Sequence, residues 1–233
     1  MHEEMTFDAI SGATIRLVNA SWANYLQRVC HGLKSIGQAC RGNNAEALIK
    51  RLRRTRPSTY AHSLRVAKYS RAAGQALGFN EARLQQLGHA AIMHDVGKIF
   101  IPESVLNRPR KLTPTEFFVL HKHPSFGAML ASYFKLPAEL SVRTQHHHER
   151  WDGRGYPSGL AGSDIPLMAR IVQVADTYDA MTSTDRPYRK PHTHAAAIAE
   201  LRKEAGKQFD PRVVEAFTDA FTETISTEHF TGH

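Results

Sequence analysis

From Ser58 to about residue 223 the apolar positions recur at helical spacing, and the chain predicts helix after helix with no stretch of strand-like alternation. Leu64, Val66, Ala67, Tyr69, Ala72, Ala73 and Leu77 mark a first helix, with Ser58 or Thr59 as its cap and Gly78 just past its end. Asn80 caps a second, carrying Ala82, Leu84, Leu87, Ala90, Ala91, Ile92 and Met93. Between Ile99 and Lys111, Pro102 and Pro109 predict an extended connection. Thr113-Pro114-Thr115-Glu116 has the cap, proline and glutamate of a helix start, and Pro124 and Pro137 open two more helices. Pro166 begins a strongly apolar helix through Ile171, Val172, Val174, Ala175, Tyr178 and Met181, and helices near 192–205 and 211–223 follow. The expected fold is all-α, a helical bundle packed around a shared site.

Before Pro57 the pattern changes. Ile15, Val18, Trp22, Tyr25, Leu26, Val29, Leu33 and Ile36 suggest one long amphipathic helix that ends near Gly42. Residues 1–56 are therefore expected to form a helical extension, suited to making a homodimer or covering the site, with the main domain over 57–233. The basic run Lys50 to Arg56 is expected to be a solvated face or linker.

The apolar pattern stops altogether between His146 and Pro157, HHHERWDGRGYP, where Gly153, Gly155 and Pro157 make a loop of polar and aromatic chemistry. Composition sharpens that observation. Of 233 residues, 14 are histidine, and neutral imidazole is the commonest transition-metal ligand. The net charge of +8 favours anionic partners. Cys30 and Cys40 lack metal or redox spacing and fit a reducing compartment. No apolar run reaches the roughly 20 residues of a membrane span, and Glu3, Glu4 and Asp8 do not suit a signal peptide, so a cytoplasmic location is expected.

His62, the His94-Asp95 pair, His123, His147, His148 and Asp176 lie on separate segments, at helix ends or among apolar residues. A buried His-Asp pair alone is more often structural. Imidazoles and carboxylates converging without thiolate suit borderline divalent metals, and a carboxylate such as Asp95 can bridge two cations that share a hydroxide.

HSLRVA at His62, HDVGKIFIPESVLNRPRKLT from His94, HKHPSFGAML around His123, HHERWDGRGYPSGL from His147, and ARIVQVADTYDAMTS followed by DRPYR resemble the successive signatures of the HD-GYP family. The order holds over about Pro57 to Phe217. The resemblance implies a helical HD-domain metal phosphohydrolase whose active members hydrolyse cyclic di-GMP to pGpG and GMP, with two divalent ions, typically iron or manganese. It implies His62, His94, Asp95, His123, His147, His148 and Asp176 as metal ligands, Asp95 bridging, and Lys98 beside the scissile phosphate. It implies Gly155, Tyr156 and Pro157 as the family's Gly-Tyr-Pro loop, and Arg186 and Arg189 as pocket residues. Some members carry a glutamate where Ser58 stands, so two metals are expected rather than three. His121 and His146 fall outside the pattern.

Phosphodiester chemistry agrees with these residue types, because an anion that repels hydroxide needs cations at the reacting centre. Tyr156 is a candidate to stack on guanine, or else to pack within its loop. The expected substrate is cyclic di-GMP or a related cyclic dinucleotide such as cyclic GMP-AMP, and a diguanylate cyclase is a possible protein partner at the loop. Neither membrane nor direct DNA binding is expected. The alternative function is an inactive or weak member acting as a cyclic-dinucleotide sensor or protein-interaction module.

Overall fold

A computed structural model describes residues 44–107, 110–184 and 190–228, and among these the fold is helical with no named strand. We number the helices α1 (Asn44–Thr55), α2 (Pro57–Ala76), α3 (Glu81–Met93), α4 (Glu103–Leu106), α5 (Pro114–Leu120), α6 (His123–Tyr133), α7 (Ala138–Gln145), α8 (Leu167–Thr182), α9 (His194–Lys203) and α10 (Pro211–Glu228). Short 3-10 turns occupy Val96–Phe100 and Gly162–Asp164.

The core lies where α2, α3, α8, α9 and α10 meet. Val66 and Ala73, Leu87 and Ala91, Ile171 and Val174, Leu201, Val213 and Phe217 are all buried in one cluster. Burying the larger of these, the valine, leucine, isoleucine and phenylalanine side chains, contributes about 1.5–3 kcal/mol each against exposure, an upper range because the unfolded chain is already partly compact. The helices that carry polar chemistry are pinned to this apolar frame.

Local signals fall where the sequence places them. The Asn80 side chain accepts from Arg83 N–H, and Thr113 and Glu116 form a reciprocal capping box. Gly78, at φ +76°, takes the left-handed conformation that ends α2. Neither Ser58 nor Thr59 caps α2. The cap is Arg56, with no side-chain hydrogen bond to the helix, because Pro57 itself occupies the first turn and has no N–H to satisfy. The connection after Ile99 is less extended than expected, since Val96–Phe100 coils as a 3-10 turn and Glu103–Leu106 adds one helical turn behind Pro102.

The expected helix over Ile15 to Ile36 lies outside the described residues. The described helices all fall in the compact unit 42–233, and α1 packs against α2 across Pro57. Leu48 and Leu52 of α1 are fully buried. The basic run therefore divides. Arg53 and Arg54 are exposed, while the Arg56 guanidinium donates to the Ile101 carbonyl at 2.8 Å and reaches that of Lys98 at 3.5 Å.

Candidate metal centre

α3 delivers His94 and Asp95 at its buried end, and the 3-10 turn that follows brings Lys98 back over Asp95, Nζ to Oδ2 2.6 Å. This turn sits against the first turn of α6 because residue 97 is glycine. A Cβ there would stand 2.0 Å from the His123 carbonyl oxygen and 2.6 Å from Gly127 N. The close approach brings His123 Nε2 to 3.2 Å from Asp95 Oδ1.

The seven residues expected as metal ligands converge. Two donor groups flank one carboxylate: His62, His94 and Asp176 on one side, His123, His147 and His148 on the other, the donor atoms of each group lying within 4.8 Å of one another. Asp95, 1% exposed, stands between them, with His94 Nε2 3.3 Å and His62 Nε2 3.8 Å from its Oδ2. His62 Nε2 lies 2.9 Å from Asp176 Oδ1.

The rings are held for ligation. Nδ1 of His94, His123 and His147 faces the carbonyl of Ala91, Leu120 and Thr144 at 2.6, 2.7 and 2.7 Å. A carbonyl can only accept, so each Nδ1 carries the proton and each Nε2 lone pair faces the centre. His62 Nδ1 meets Asp179 Oδ2 at 2.6 Å, and Arg65 grips the same carboxylate at 2.7 and 3.0 Å. His94 Nε2 and Asp95 Oδ1 are buried without a hydrogen-bond partner. Buried polar atoms are costly unless satisfied, and a divalent cation is the partner this donor set fits. Neutral imidazoles, carboxylates and no thiolate can hold two such ions on a shared carboxylate.

Protonation agrees with this division. Burial keeps His123 and His147 below the usual imidazole value and lowers His148 to about 3, so these three rings are neutral near pH 7. Burial also opposes charge on His62, but its hydrogen bonds to Asp176 and Asp179 outweigh that and raise it to about 9. Burial disfavours the Asp95 anion, yet His94 and Lys98 hold its carboxyl well below the usual range.

The loop His146–Pro157 folds back on its own start. Gly155 is required because a Cβ would meet Arg150 N at 2.3 Å and Glu149 Cα at 2.5 Å. Glu149, fully buried, accepts from Ser158 N–H and Leu160 N–H at 2.7 and 3.1 Å, and the Gln173 amide donates to its carbonyl. His146 Nδ1 lies 3.4 Å from the Glu149 carboxylate, which accounts for its absence from the donor groups. Trp151 N–H and Asp152 N–H donate to the Gln208 and Lys207 carbonyls, fixing the loop to the α9–α10 turn. Tyr156 stacks on two imidazoles, His121 at 3.8 Å and His148 at 4.9 Å between ring centroids. These contacts give Tyr156 a packing role within its loop.

Arg186 and Arg189 lie outside the described residues. Sequence reasoning missed Asp179, Arg65 and Glu149. The signals were present in two cases: Asp179 follows Asp176, and Arg65 follows His62, by three residues on a helix, which puts each pair on one face.

Fold and donor set together define a helical protein with a buried histidine–aspartate cluster that could bind metal. The chain belongs to the HD domain family, whose model matches residues 43–213, and within it to the HD-GYP group. It is 41% identical over 178 residues to a cyclic di-GMP phosphodiesterase of Pseudomonas aeruginosa, covering 76% of this chain and 42% of that protein. It is 46% identical over 147 residues to a cyclic di-GMP phosphodiesterase response regulator of Xanthomonas campestris, covering 61% and 38%. A 3'3'-cGAMP-specific phosphodiesterase of Vibrio cholerae is 36% identical over 170 residues, covering 72% and 32%. The chain thus spans about two fifths of the length of the first two relatives. Among solved structures, a HDG"Y"P protein from Bdellovibrio bacteriovorus superposes with a TM-score of 0.59 at 22% identity over 70% of this chain and 52% of that one. The HD domain of an L. monocytogenes phosphodiesterase in complex with cyclic-di-AMP also gives 0.59, at 18% identity over 80% and 98%. Both likenesses concern the fold.

Proposed function

We propose that this chain is a metal-dependent phosphodiesterase that hydrolyses cyclic di-GMP to pGpG and onward to GMP, using two divalent cations, iron or manganese, held by His62, His94, Asp95, His123, His147, His148 and Asp176. The observation that carries the reading is the pair of three-donor groups on either side of buried Asp95, with unsatisfied His94 Nε2 and Asp95 Oδ1 directed into the centre. Relatives at 40–46% identity named as cyclic di-GMP phosphodiesterases support the substrate. The relative specific for 3'3'-cGAMP makes cyclic GMP-AMP the competing substrate.

Bound divalent cations supply the charge a phosphodiester needs and lower the pKa of water toward neutrality. Asp95 presents one oxygen to each donor group and so holds the two halves in register. Lys98, its ammonium anchored on Asp95 Oδ2, has further N–H bonds for a non-bridging phosphate oxygen as negative charge develops. The neutral rings of His123, His147 and His148 offer lone pairs without first losing a proton. Arg186 and Arg189 are proposed to neutralise the second phosphate of the cyclic dinucleotide.

Asp95→Ala and Lys98→Ala separate these roles. Asp95→Ala is expected to lose both bound metal and hydrolysis. Lys98→Ala should keep the metal and lose about 10²–10³ in kcat, the scale of one oriented donor. Loss of metal in Lys98→Ala would move Lys98 from phosphate binding to the metal centre itself.

The chain from Gly42 onward is proposed as the catalytic unit, with the preceding residues as an input or dimerisation element, and a cytoplasmic location. Among the described residues no helix is long and apolar enough to cross a membrane.

A further inference from the structure

His148 is oriented differently from the four other imidazoles of the centre. His62, His94, His123 and His147 each have Nδ1 fixed by a carboxylate or a carbonyl. No hydrogen bond among the described residues reaches either ring nitrogen of His148. Its ring is held by packing, on His147 at 4.2 Å, His123 at 5.0 Å and Tyr156 at 4.9 Å with planes 26° apart.

Tyr156 is itself clamped. Its N–H donates to the His148 carbonyl at 3.2 Å, which ties the returning loop to the residue it stacks on. Its ring also stacks on His121 at 3.8 Å with planes 11° apart, and Phe117 packs on His121 at 3.8 Å between ring centroids. His121 closes α5 and stands two residues before His123, so the same short segment that delivers one ring of this donor group also limits the movement of another through Tyr156. A metal ligand that lacks a hydrogen-bonded partner depends on its packing for ring orientation, and misorientation weakens its bond to the ion.

We propose that His121 is a positioning residue: through Tyr156 it fixes the His148 ring, and so sets the affinity of the cation held by His123, His147 and His148 while leaving the cation at His62, His94 and Asp176 unaffected. This rests on the reading that the centre holds two cations. It gives the Gly-Tyr-Pro loop a part in metal retention: Gly155 permits the return, Tyr156 transmits the contact, and His121 supplies the second ring against which Tyr156 packs.

The test is anaerobic titration of the metal-stripped 233-residue chain with Mn2+, following free ion by its electron paramagnetic resonance signal, for wild type, His121→Ala and His121→Phe. Wild type is expected to bind two equivalents. In His121→Ala one equivalent should weaken about tenfold, the lower end of the effect of removing a metal ligand's supporting contact, and the other should hold. His121→Phe keeps a flat ring against Tyr156 and should recover wild-type binding of both. If wild type binds two equivalents and His121→Ala binds both unchanged, or if Phe fails to rescue, the positioning role is wrong and the two-cation reading survives. If wild type binds fewer than two equivalents, the two-cation reading fails and the inference with it. Should His121→Ala not fold, His121→Gln, which lacks the ring, takes its place with the same expected outcome.

Discussion

His62 and His148 have been driven in opposite directions by their surroundings, and the metal-free protein must carry both consequences. His62, at about 9, holds its proton more tightly folded than unfolded, where imidazole titrates near 6.5. Its stabilising contribution is complete below 6.5 and is lost as pH rises through 9. His148, lowered to about 3 by burial, behaves in the reverse sense: its contribution is complete above 6.5 and is lost as pH falls toward 3. His147 and His123, also lowered by burial, act with it. The stability of metal-stripped protein should therefore peak near pH 6.5 and decline on both sides. Urea midpoints measured from pH 5 to pH 9 check this, and a continuous rise from 6.5 to 9 would contradict the paired state of His62. The histidines proposed as ligands could be singled out because recurrent motifs carry them. Asp179 shares a helical face with Asp176, but its partner His62 is 117 positions away, and Glu149 was not legible, since its role depends on two backbone N–H groups of a loop that must first fold back.

At the scale of elements, two contacts fix the 3-10 turn Val96–Phe100 that carries Lys98. Gly97 lies against the first turn of α6, and a side chain there meets backbone that cannot yield cheaply. Gly97→Ala is expected to cost about 1–3 kcal/mol or more by overpacking and to lower metal content, because the displaced turn separates Asp95 from His123. Thermal melting and metal analysis of one preparation test both parts. The second contact comes from α1. Leu52, fully buried, seats the helix whose end positions Arg56 on the Lys98 and Ile101 carbonyls. Leu52→Ala should cost about 2–5 kcal/mol in denaturant unfolding, and an unaltered midpoint would show that α1 is dispensable to the fold. Helix starts governed by neighbours in sequence, such as Asn80, Thr113 with Glu116, and the proline-led α6 and α8, could be read before any tertiary structure was known. The burial of α1 could not, because its basic residues resemble a solvated run, while Leu48 and Leu52 are buried in a helix that packs on α2 and the 3-10 turn.

At the scale of the whole molecule, an apolar frame of α2, α3, α8, α9 and α10 holds rigid the ends of helices from which carboxylates and imidazoles project into one polar centre. The fold was legible because helical periodicity recurs and most helices after α1 begin at a proline or a capping side chain. Its assignment to the HD-GYP group follows from motif order together with the match over residues 43–213. The central claim is that this centre cleaves a cyclic dinucleotide with bound divalent metal. The most direct measurement is hydrolysis of cyclic di-GMP by anaerobically prepared protein, with iron and manganese content determined on the same sample and cyclic GMP-AMP run in parallel. The predicted result is about two metal ions per chain and conversion of cyclic di-GMP to pGpG or GMP, absent in Asp95→Ala. Full metal occupancy with neither dinucleotide cleaved would contradict the claim and leave a sensor or interaction module as the function.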